Sequence, residues 1–302
     1  MPGAVQLCEI IAASDFEAQE AAFQGVENIP ADIRADCLEM LRPTLDGLIA
    51  TADEPLAIDL GNGSVADVFS FELHAFRSAI VALCARAEEE IYYDDQPAAR
   101  QTYQSVFKLA NGVQNKGLWI HHLVGIASRS IALDSIYRNR RHLNATSRKI
   151  VARSIASELE PLNRVNQRER AWAMNVNWYN HLCVILNDLG SEYETGVATA
   201  HYRDLTLRRL LAIELTINNA IQLHGQPPEH LQDLSELDIA TLVDPYSATG
   251  ELFRYRVEGD TYQLYSVGPD GRDDGGTEFL AGFLGSNDGV DMDLRTFMGE
   301  SP

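Results

Sequence analysis

The chain predicts a mainly α-helical protein with a small α+β module at its C-terminus. Three observations predict it. Apolar residues recur at helical spacing over the first two hundred residues, with few breakers between them. The texture then changes to apolar and polar alternation in Leu252-Phe253-Arg254-Tyr255-Arg256-Val257, the pattern of a half-buried strand. Two segments crowded with Asp and Gly follow, residues 270–276 and 287–293.

Taken in order, residues 5–24 have helical character, and Pro30-Ala31-Asp32 opens a second helix through Leu38 and Leu41. Pro43 is expected in the first turn of a new helix, where its missing N–H costs nothing. Residues 53–64 read as a loop ending in Gly61-Asn62-Gly63-Ser64. Val68, Phe71, Ala75, Ile80, Leu83 and Cys84 form the next helical stripe. Tyr92-Tyr93-Asp94-Asp95-Gln96-Pro97 is a loop into a helix over 98–115, and a long run over 116–141 follows. Gly117 and Gly125 in that run point to close helix packing. Residues 144–146, Asn144 to Thr146, cap a helix over 147–159, Pro161 interrupts, and a helix over 165–189 ends at Gly190-Ser191. A strong helix over 202–224 stops at Gly225, and Glu229–Leu234 makes a short helical turn. Glu258-Gly259-Asp260-Thr261 then joins two antiparallel strands, and residues 278–284 form an apolar insert. No fixed-period repeat is present, so the helices are expected as an irregular bundle over 1–200, followed by the module over 201–302.

Charge separates the chain further. The net charge of −20 divides into −14 for residues 1–100, +2 for 101–243 and −8 for 244–302. Acidic ends argue against binding nucleic acid, whose phosphates want Lys and Arg. The basic group Arg138, Arg140, Arg141 and His142 reads as a solvated helix end, with an anion site as the sharper alternative. Glu88-Glu89-Glu90 with Asp94-Asp95 reads as a solvated acidic patch. Cys8, Cys37, Cys84 and Cys183 are too widely spaced for a zinc cluster and read as small apolar residues. No apolar stretch is clean enough to span a bilayer, and no basic-then-apolar leader opens the chain. Two compartments therefore stay open: extracytoplasmic, as the soluble region of a trimmed protein, or cytoplasmic.

Catalytic signatures are missing. There is no Gly-x-Ser-x-Gly, no Cys/His signature and no phosphate loop. His121-His122 are adjacent on a helix and point about 100° apart, so a packed or capping role is expected rather than chelation. Glu169 between Arg168 and Arg170 reads as helix-surface charge or an internal ion pair. The Asp/Gly loops are different: they offer hard oxygen ligands on flexible backbone, which suits Ca²⁺.

In the C-terminal third, His224-Gly225-Gln226-Pro227 leads to Leu231 and Leu234, then to Asp244-Pro245-Tyr246 and Phe253-Arg254-Tyr255. The run closes on Leu264-Tyr265-Ser266-Val267-Gly268-Pro269-Asp270-Gly271. This succession resembles the globular end of the type II secretion major pseudopilins over about residues 203–293. The whole chain is similar to uncharacterised bacterial proteins that place a helical region before such an ending. The resemblance implies a structural Ca²⁺ in the loop. Its ligands by position would be the Val267 carbonyl, the Asp270 side chain and the Arg272 carbonyl, with Asp288 and Asp291 for the second half. The apolar N-terminal helix that packs pseudopilin filaments has no counterpart, so a filament subunit is not expected. The leading expectation is a non-enzymatic structural or protein-interaction protein with a protein partner and a Ca²⁺-stabilised end. The alternative is a hydrolase-like enzyme using carboxylates such as Glu169 in a cleft of the helical domain.

Overall fold

The computed structural model describes residues 31–54, 71–115, 117–157, 159–175, 179–276, 291–294 and 298. Its helices are α1 (Ala31–Thr51), α2 (Phe71–Tyr92), α3 (Gln96–Gln114), α4 (Trp119–Asn139), α5 (Ala145–Ile155), α6 (Leu162–Asn175), α7 (Tyr179–His224) and the single turn α8 (Ile239–Leu242). A three-stranded antiparallel sheet follows, in the order β1 (Arg254–Glu258), β2 (Thr261–Ser266) and β3 (Met292–Asp293). The expected class, mainly α with a small antiparallel sheet near the C-terminus, is the observed one. The expected helix over 5–24, most of the 53–64 loop and the apolar insert 278–284 lie outside the described residues.

Two compact units form: Met1–Ser135 with Glu158–His201, and Ile136–Ser157 with Tyr202–Pro302. In the first, α2 packs along α3 and α1 packs on both. Leu38, Leu41, Leu45 and Leu48 make one buried stripe on α1. Each such side chain stabilises by about 1.5–3 kcal/mol. Pro43 therefore does not begin a new helix: it sits inside α1. A stripe buried on both sides of it outweighs the roughly 3 kcal/mol that an interior proline costs. Gly190-Ser191 likewise fails to end a helix, because α7 runs through it to His224. One interior glycine costs only about 1 kcal/mol relative to alanine.

Side-chain capping sets two starts, of which only the one near Asn144 was expected. Asp95 accepts the Ala98 N–H at 3.2 Å before α3, and Asn144 accepts the Ser147 N–H at 2.8 Å before α5. The acidic patch is less solvated than expected. Glu90 pairs with Arg86 at 2.8 Å and accepts the Thr102 hydroxyl at 2.8 Å, while Glu88 accepts the Ser135 hydroxyl at 2.8 Å. These bonds tie α2 to α3 and α4, so two of the glutamates are half-buried struts. Cys37 and Cys84 are buried.

In the second unit, α5 and the later part of α7 share polar clamps. Asn219 donates to the Ala145 carbonyl at 3.1 Å, Arg148 donates to Gln222, and Arg208 donates to the Ser157 carbonyl at 2.5 Å. The basic group splits: Arg138, Arg141 and His142 are exposed, whereas Arg140 is buried over the Tyr137 ring and 3.7 Å from Glu214. Glu214 also accepts the Tyr262 hydroxyl at 2.5 Å, which fastens β2 to α7. The β1–β2 register pairs Glu258 with Thr261 across a two-residue turn, and Gly259 takes a φ of 63° there. That positive φ is what a primed hairpin turn demands and glycine supplies cheaply. Tyr265 and Ser266 of β2 pair with Asp293 and Met292.

Candidate functional site

The Asp/Gly loop hangs from a buried carboxylate that spacing alone did not single out. Asp244 is 2% exposed. Its Oδ1 accepts the Tyr246 N–H at 3.0 Å and the Ser266 hydroxyl at 2.8 Å, and its Oδ2 accepts the Val267 N–H at 2.9 Å. Its own N–H donates to the Glu251 carbonyl at 2.9 Å. The Asp-Pro turn at 244–245 is thus pinned to the end of β2. An Asp before Pro, ahead of a hairpin, is the one sequence signal for this role.

Of the expected ligands, Val267 is buried at the end of β2, and Asp270 and Arg272 are exposed on the turn that follows. Asp270 accepts the Arg272 N–H at 3.0 Å, a local turn bond. Asp288 lies outside the described residues. Asp291 is 1% exposed and immediately precedes β3. Its Oδ2 accepts the Gly276 N–H at 2.7 Å, while its Oδ1 has no hydrogen-bond partner among the described residues.

The neighbours of Asp291 are acids. Burial pushes its carboxyl above the usual range, opposed by the Gly276 and Asp274 backbone amides and reinforced by the Asp273 and Asp274 charges. Asp273 has compensation. Burial pushes it up, but the Tyr265 hydroxyl at 2.9 Å, the Gly275 amide at 3.1 Å and Arg254 at 3.0 Å hold it below the usual range. Gly276 is needed for this geometry: it has a φ of 76°, and a Cβ there would meet the Tyr265 ring at 3.2 Å. The described contacts therefore connect Asp291 with Asp273 and Asp274, rather than with Asp270. Among the described residues, no three His, Cys, Asp or Glu side chains converge as a ready metal cluster.

The first unit holds a separate polar centre. His121 Nδ1 accepts the Leu118 N–H at 3.2 Å, a capping role at the start of α4. His122 is fully buried and its Nε2 lies 3.1 Å from His201 Nδ1. Burial lowers His121 to about 4, and burial with the charges of His201, Arg129 and Arg168 lowers His122 to about 3. Glu169 accepts the Trp119 N–H at 2.9 Å, and Asn166 accepts the Trp119 indole N–H at 2.8 Å. Burial raises the Glu169 carboxyl, opposed by that amide and by Arg168. The hydrogen-bonded partner of Arg168 is Glu160, at 2.5 and 2.6 Å, together with the Gly117 carbonyl. Neighbours on a helix point apart, so Arg168 reaches a different acid from the one beside it. Glu169, the candidate carboxylate of the enzyme alternative, fastens α6 to the first turn of α4.

Compared with family models, curated proteins and solved structures, the chain matches none. Among the described residues, no helix is long and apolar enough to cross a membrane.

Proposed function

We propose that the chain is a non-enzymatic structural or protein-interaction protein whose C-terminal module is stabilised by Ca²⁺, with the helical unit as its interaction surface. The observation that supports this reading is Asp291, a 1%-exposed carboxylate with one oxygen unpartnered among the described residues and two further acids acting on it. Like charges around a buried carboxylate cost free energy, and a divalent cation removes that cost. Ca²⁺ accepts six to eight oxygens at flexible geometry, backbone carbonyls included. Asp291, Asp273 and Asp274 offer carboxylates, and the resemblance adds Val267, Asp270, Arg272 and Asp288. The same resemblance favours an extracytoplasmic setting, where Ca²⁺ is plentiful.

Calcium titration of the full chain tests this, with the unfolding of the C-terminal module followed by hydrogen exchange of the β1–β3 amides. Protection rises with Ca²⁺, less with Mg²⁺, and Asp291→Asn abolishes the rise. Unchanged protection at millimolar Ca²⁺ refutes the ion site.

A further inference from the structure

β1 lacks the devices that usually close an edge strand. Its sequence, Arg254-Tyr255-Arg256-Val257-Glu258, holds no proline and no lysine, and its successive pairs with β2 run from Arg254 to Glu258 without a bulge. It is the outermost strand of the order β1–β2–β3, so among the described residues one of its edges has no strand beside it. Glu258 and Thr261 flank a two-residue turn and so exchange both backbone bonds, a pattern that repeats at Arg256 and Arg254. The N–H and C=O groups of Tyr255 and Val257 therefore point away from β2. The outer edge is filled at Phe253, whose N–H donates to the Leu242 carbonyl at 3.0 Å. No further backbone bond among the described residues reaches Tyr255 or Val257 from that side. Arg256 and Glu258 stand side by side on one face of the strand, 2.8 Å apart, with side chains 65% and 51% exposed. Tyr255 and Val257 share the other face, both half-buried.

We propose that this edge takes a second copy of the chain: the two β1 strands pair antiparallel about a two-fold axis at Val257, and one sheet runs across both copies. Charge selects the occupant and the register. An antiparallel partner sets outward-facing residues against outward-facing residues, so within β1 the axis falls on Tyr255, Arg256 or Val257. An axis on Tyr255 would set Arg254 against the partner's Arg256, and it needs the Phe253 N–H, which is already engaged. An axis on Arg256 would set the two Arg256 side chains against each other. Like charges directly opposite are destabilising. An axis on Val257 sets Arg256 against the partner's Glu258 and Glu258 against the partner's Arg256. On the other face the two Val257 side chains meet, each diagonal to the partner's Tyr255. The strand is thus complementary to itself, as an isologous contact requires. The backbone bonds supply the affinity and the charge pairs fix the register.

Sedimentation velocity of the full chain, from micromolar to millimolar concentration, tests this. The parent dimerises reversibly. Arg256→Glu sets acid against acid across the axis, and Glu258→Arg sets base against base. Each variant alone stays monomeric and keeps the helical circular dichroism, since both side chains are exposed. Mixed in equal amounts the two variants dimerise again, because every introduced charge then faces its opposite. A parent that stays monomeric at millimolar concentration overturns the proposal and leaves the edge to an extended segment of another protein. A dimer that survives in both variants, or a mixture that does not reassociate, overturns it as well.

Discussion

Acidification from pH 7 to pH 5 is expected to weaken the first unit by about 4 kcal/mol. The cause is His121 and His122, whose ordinary value of 6.5 falls to about 4 and about 3 in the fold. Between the folded and unfolded values the unfolded chain binds more protons, so stability drops as the pH drops. The stabilisation is fully present above about 6.5 and is lost progressively below it. Both folded values lie below 5, so the loss down to pH 5 depends almost wholly on the unfolded value, at about 2 kcal/mol per histidine. The raised Glu169 acts in the opposite sense, because the folded state takes up its proton first. Urea unfolding followed by tryptophan fluorescence, at pH 7, 6 and 5, measures the sum. His121→Asn isolates one share: its side-chain oxygen replaces Nδ1 as acceptor for the Leu118 N–H but does not titrate. This variant should lose about 2 kcal/mol less than the parent over the same interval. Flat stability between pH 7 and 5, or imidazole resonances of both residues titrating near 6.5, refutes the reasoning.

Other perturbations separate structural from ionic roles. Asp244→Ala removes a buried acceptor of three hydrogen bonds and should destabilise the second unit by about 3–5 kcal/mol in urea unfolding. Asp291→Asn removes a carboxylate with a raised pKa and should stabilise the module at neutral pH without Ca²⁺, read as slower exchange of the β2 and β3 amides. Gly117→Ala places a Cβ 2.5 Å from His121 Cβ and should cost about 1–3 kcal/mol by thermal melting. Gly276→Ala combines a φ of 76° with a Cβ 3.2 Å from the Tyr265 ring and should weaken any Ca²⁺ response along with the fold.

Helical spacing and alternation in the sequence determined the class of fold, the Asn144 cap, the stop at Gly225 and the β1–β2 hairpin with its Gly259 turn. These depend on local periodicity and on backbone preferences carried by single residues. Pro43 and Gly190 misled because their local costs, about 3 and about 1 kcal/mol, are smaller than what a continuous buried face returns. The candidate ion site was legible as a loop rich in Asp, and Asp291 was named within it. Its association with Asp273 and Asp274, and the anchoring of the loop by Asp244, were not legible. Tertiary structure alone decided these, because they depend on which carboxylates lose water and which backbone amides reach them. The same holds for Gln114 and Arg129: they are neighbours only because α3 and α4 approach closely at Gly125.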